Sequence, residues 1–130
     1  MRLPFLVLTP VSVLLGFATA YVSVESIDYW SLTLVVIGAL SAHISVNTFN
    51  EYLDFRSGLD ARTVKTPFSG GSGALCHSPE MAGAVLSMAI VSLLISILIG
   101  LYFMTRLGWV IIPLGITGVL VILGYTSWIN

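Results

Sequence analysis

Four apolar stretches, roughly 3–24, 30–49, 81–104 and 109–129, constrain this chain more than any other feature. Each is about the 20 residues that a helix needs to cross a bilayer. A helix satisfies its own peptide groups, so such a stretch is stable in hydrocarbon without a partner for its backbone. The pattern predicts an all-α membrane protein with four transmembrane helices, forming one transmembrane domain over 1–130. Only 8% of the residues are charged, against about 25% in ordinary soluble domains. Mean hydropathy is +1.02. A water-soluble enzyme and a disordered chain are excluded on that ground. The formal net charge of −1 gives no attraction for nucleic acid. A single cysteine excludes an internal disulfide and a cysteine-rich zinc site.

The first stretch contains Ala18-Thr19-Ala20, which looks like a signal-peptidase site. Apolar character continues past it through Val24, and three more spans follow, so a retained helix is expected. Pro4 sits near its start, and Pro10 is expected to kink it. The small residues Thr9, Ser12, Gly16 and Thr19 of this helix, and Gly115 and Gly118 of the last, suit close helix approach. The basic residues set the orientation. With the N-terminus inside, Arg2, Arg56, Arg62 and Lys65 are cytoplasmic and Arg106 alone is outside. The expectation is a multi-pass protein of the cytoplasmic membrane, surrounded by lipid, with its N-terminus and the loop 50–80 in the cytoplasm.

That loop holds most of the charge: Glu51, Asp54, Arg56, Asp60, Arg62 and Lys65 all lie in it. Leading into it, His43, Asn47, Asn50 and Asp54 fall within about 60° of one another on a helix. A polar stripe on a membrane helix faces protein or a water-filled cavity rather than lipid. Asn50 and Asp54 are one turn apart, and their oxygens suit a hard cation such as Mg²⁺, which completes its shell with water and phosphate oxygens. If the helix ends at Gly58, Asp60 can fold back toward the same metal. Arg56, Arg62 and Lys65 offer positive charge to phosphates. The run Ser69–Gly73 offers backbone N–H groups, although the nucleotide P-loop pattern is absent. The same charges would also serve a solvated, salt-bridged loop at the membrane edge. His43 is more simply an interior hydrogen-bonded histidine than a ligand, and Cys76 and His77 form no site.

The segment from Asn50 to Asp60, followed by Thr66-Pro67-Phe68-Ser69-Gly70-Gly71-Ser72-Gly73, resembles the first aspartate-rich motif of the UbiA superfamily of intramembrane prenyltransferases. Its look is nearest the 1,4-dihydroxy-2-naphthoate prenyltransferase branch. The resemblance implies a nine-helix bundle, of which this chain would be the N-terminal part. It implies transfer of a prenyl group from a prenyl diphosphate to an aromatic acceptor, in quinone biosynthesis such as that of menaquinone. It gives Asn50, Asp54 and Asp60 the catalytic Mg²⁺ role, in a longer-spaced form of the motif. It leaves Arg56, Arg62 and Lys65 to the diphosphate. Many relatives carry Asp after the Asn, where this chain has Glu51. Tyr52, Phe49 and Phe68 are aromatic neighbours able to shield a carbocation. The family's second acidic motif has no counterpart here, so a fragment, inactive or very weakly active alone, is expected.

Two other classes of protein would use the same residues differently. A small cation or proton transporter subunit would use the stripe His43, Asn47, Asn50, Asp54 as its site, but shows acids deep in the membrane. The stretches 81–104 and 109–129 contain none. A structural adaptor docking a partner through the loop would tolerate loss of Asp54 and Asp60. Orientation is tested directly: a cysteine placed at Ser72 should react with a membrane-impermeant maleimide from the cytoplasmic face. Labelling from outside would reverse the topology.

Overall fold

The computed structural model describes residues 6–24, 26, 28–62 and 73–128, all of whose regular elements are helical. Helix α1 spans Leu8–Val24, α2 Tyr29–Ser57, α3 Leu59–Arg62, α4 Ala74–His77, α5 Ala82–Leu107 and α6 Ile112–Trp128. Short 3₁₀ turns at Pro79–Met81 and Gly108–Ile111 lead into α5 and α6.

Pro10 is the third residue of α1. A first-turn N–H has no carbonyl partner to lose, so proline is tolerated there and the kink expected at Pro10 gives way to a helix start. Helix α2 starts on an Asp28 cap. Asp28 Oδ1 accepts the N–H of Trp30 at 3.0 Å and of Ser31 at 3.3 Å, and Oδ2 accepts the Ser31 hydroxyl at 2.6 Å. These Ser31 bonds, with a smaller contribution from Trp30 and Arg106, hold the Asp28 carboxyl below its ordinary pKa. The helix stops at Gly58, whose φ of 71° is the left-handed conformation that closes helices and favours glycine. The sequence placed 50–57 in a loop. Apolar character ends there, but Glu51, Leu53 and Arg56 are good helix formers and nothing before Gly58 breaks the helix. The loop is also partly structured beyond Gly58, as α3, α4 and the turn at Pro79–Met81.

Helix α2 has 29 residues and is about 43 Å long. That exceeds the roughly 30 Å hydrocarbon core. Its polar last turns therefore extend beyond the apolar layer. Two runs, 29–57 and 79–122, are long and apolar enough to cross a membrane, and α1 is a shorter apolar helix. The second run is broken at Gly108, where φ is 76°, into α5 and α6. Among the described residues the buried apolar side chains are few: Leu75, Ala89 and Ile122. Large ones face outward throughout, for example Val22, Leu98 and Val110, the last 87% exposed. Apolar surface on this scale needs lipid or protein over it. The chain is an all-α membrane protein.

Helix α2 is the hub. Helix α5 packs along it, and α1 and α6 touch it more lightly. The face toward the interior carries Gly38, Ser41, Ser45, Thr48 and Glu51, at steps of three and four residues. Ala89 and Ser92 are the buried residues of α5. Small side chains let two helices approach closely. At Gly38 an added Cβ would stand 3.2 Å from Ile99 Cγ2. The sequence had placed close approach on Gly16, Gly115 and Gly118, yet none of these has an atom within 4 Å of an added Cβ. The close approach lies on α2 instead.

Gly38→Leu should therefore lower the unfolding midpoint in mild detergent by the equivalent of about 1–3 kcal/mol. Gly16→Leu, in open space, should leave the midpoint unchanged or raise it.

Candidate functional site

The polar stripe read from the sequence lies along α2, on the side away from Gly38, Ser41 and Ser45. Its members differ in how they are satisfied. His43 Nδ1 and Thr9 Oγ1 are 2.6 Å apart, joining α2 to α1. Asn47 Nδ2 donates to the His43 carbonyl at 2.8 Å, one turn back on its own helix. Asn50 Oδ1 is buried and has no hydrogen-bond partner among the described residues. Asp54 Oδ1, one turn further on, is also buried. The Ser57 hydroxyl donates to the Asp54 carbonyl at 3.2 Å, closing the last turn.

A buried amide oxygen without a donor costs about 1–3 kcal/mol, so Asn50 is poised for a cation or a donor from outside the described chain. An amide oxygen and a carboxylate one turn apart are the donor types a hard cation takes. Among the described residues no three His, Cys, Asp or Glu side chains come together as a metal cluster. The Asp60 side chain lies outside the described residues, as do Lys65, Phe68 and the run 69–72.

The basic residues spread apart. Arg62 is exposed at the end of α3. Arg56 is exposed, and its guanidinium carbon stands 6.0 Å from the centroid of the Tyr52 ring. Arg56 and Tyr52 project from α2 about 160–200° around from Asp54. The structure does not bring Arg56 to the Asn50–Asp54 face. Tyr52 and Phe49, both half-buried, likewise leave α2 on the other side. Their part in shielding a carbocation on the Asp54 face is not favoured by this placement.

Two features escaped the sequence reading. One is Glu51, 7% exposed, whose Oε1 accepts the N–H of Ala74 at 3.1 Å. No spacing rule connects residues 23 apart across a loop. The other is the small-residue face of α2, and here a signal existed: Gly38, Ser41, Ser45 and Thr48 repeat at helical spacing. Cys76 and His77 are exposed.

The chain is similar to the 1,4-dihydroxy-2-naphthoate octaprenyltransferase of Bacillus subtilis (strain 168), with 32% identity over 118 residues. The matched part is 90% of this chain and 36% of that protein. The chain thus spans about a third of the length of the curated relative it matches. No protein-family model matches it. No solved structure matches it either.

The Thr9–His43 bond is the polar link between α1 and the stripe. Thr9→Val keeps the shape and removes the hydroxyl, and should cost about 0.6–1 kcal/mol in detergent unfolding. Thr9→Val should cost nothing further in a His43→Ala background. Equal losses in both backgrounds would show that the bond contributes nothing.

Proposed function

We propose that this chain is part of a UbiA-type membrane prenyltransferase. The reaction moves a prenyl group from a prenyl diphosphate to an aromatic acceptor of the dihydroxynaphthoate kind, in menaquinone biosynthesis. The carrying observation is the buried Asn50 Oδ1, without a hydrogen-bond partner among the described residues, one helical turn from Asp54 at the polar end of a membrane-length helix. The similarity to an octaprenyltransferase that covers this same stretch supports the reading. In this reading the chain crosses the membrane four times, turning at Gly108 between α5 and α6, with the C-terminal end of α2 in the cytoplasm.

The chemistry asked of these residues is mainly electrostatic. Bound Mg²⁺ would neutralise charge on the departing diphosphate, lowering the barrier to breaking the allylic C–O bond. Asn50 and Asp54 would hold the ion, with Asp60 as a third oxygen ligand. Helix α2 fixes the first two in register, so little ordering is left to do on binding. Arg62 and Lys65 would attract the diphosphate. The acceptor's electron-rich ring carbon attacks the allylic carbon, and the ring then loses a proton. The exposed apolar flanks of the helices give the prenyl chain a hydrocarbon surface to lie along.

Asp54→Ala in the full-length protein should lower Mg²⁺-dependent prenyl transfer by about a hundredfold or more. EDTA should stop turnover of the unaltered protein, and added Mg²⁺ should restore it. Transfer that persists in Asp54→Ala would remove Asp54 from the metal site.

A further inference from the structure

Among the described residues, Glu51 is the charged side chain that is buried. It follows Asn50 directly, and the sequence alone allows its carboxylate to join the oxygen donors beside it. The structure directs it elsewhere. One residue along a helix is a rotation of about 100°, and Glu51 sits where the stripe gives way to the interior face of α2. There its Oε1 accepts the N–H of Ala74, the first residue of α4. First-turn N–H groups have no partner within their own helix. A carboxylate acceptor gives a bond stronger than a neutral one. The next residue, Leu75, is 1% exposed. A polar tie and an apolar plug therefore hold the segment Gly73–His77 at one place against the bundle. From that segment the chain continues through Pro79–Met81 into α5, the main packing partner of α2.

We infer that Glu51 is a positioning residue, fastening Gly73–His77 to the C-terminal end of α2 and thereby setting the rotation of the face that carries Asn50 and Asp54. It works as a hydrogen-bond acceptor and not as a metal-bound charge. Gln at this position keeps an acceptor at the same reach. Asp keeps the charge but is one methylene short, and Ala has neither. The fastening stands on the geometry alone. Its consequence for turnover rests on the prenyltransferase reading.

The test is hydrogen exchange of the Gly73–Met81 stretch, read by mass spectrometry on the full-length protein in lipid nanodiscs. Glu51→Ala should speed exchange at the Ala74 amide by about tenfold, and Glu51→Gln should stay within about twofold of the unaltered protein. Unchanged exchange in Glu51→Ala overturns the inference. Should that variant fail to accumulate, Glu51→Asp takes its place, with faster exchange than Glu51→Gln expected. The reverse order overturns the inference. Where transfer is measurable, the Mg²⁺ concentration for half-maximal rate should stay within about twofold in Glu51→Gln, and kcat should fall in Glu51→Ala. A Glu51→Gln variant needing about tenfold more Mg²⁺, with normal exchange, would make Glu51 a ligand and overturn the positioning role. Absence of prenyl transfer in every form, unaltered protein included, would sink the proposed reaction and leave the exchange result to decide the fastening.

Discussion

A polar atom placed in hydrocarbon costs several kcal/mol unless a hydrogen bond answers it, and that cost orders this protein. Backbone groups meet it by being helical. Hydroxyls meet it by bonding back to the carbonyl one turn earlier, as Ser12, Thr19, Thr33, Thr48, Ser87 and Thr117 do. Asn47 uses its amide in the same way. Buried Ser45 Oγ has no hydrogen-bond partner among the described residues, and Asn50 is a second departure from the pattern. Its oxygen is buried without a donor among the described residues, at the place where α2 turns from apolar to polar.

Besides touching α6, helix α2 meets α5, α1 and α4 through three different faces. Its small-residue face takes α5, its stripe reaches α1 through His43, and Glu51 at the boundary takes the first amide of α4. The faces are set by one rotation of one helix, so packing and site geometry are coupled. A shift in the Gly38–Ile99 contact would turn Asn50 and Asp54 with it.

Much of this was legible in the sequence, because hydropathy and the 100° helix step are local properties. The stripe from His43 to Asp54 followed from them. The end of α2 did not, since hydropathy falls at Asn50 while helix propensity continues to Ser57. Arg56 and Tyr52 lie away from the Asp54 face for a related reason. Sequence proximity to Asp54 suggested a shared site, but a two-residue step on a helix points the other way. Glu51 was hidden because its partner is a backbone amide, and a backbone amide leaves no mark in the sequence. The Asp60 and Lys65 expectations fall on side chains outside the described residues.

The scarcity of buried apolar side chains reaches into how this protein tolerates change. Its helices are stable in lipid individually, and what their packing adds depends on a few close contacts. Exchanges among Leu, Ile, Val and Phe on the outer faces would then pass almost unnoticed over evolutionary time. The immovable positions would be small ones: Gly38, Ser45 and Ala89, where bulk has nowhere to go. Relatives of this chain should drift apart fastest where they are most hydrophobic and slowest where the side chain is nearly nothing.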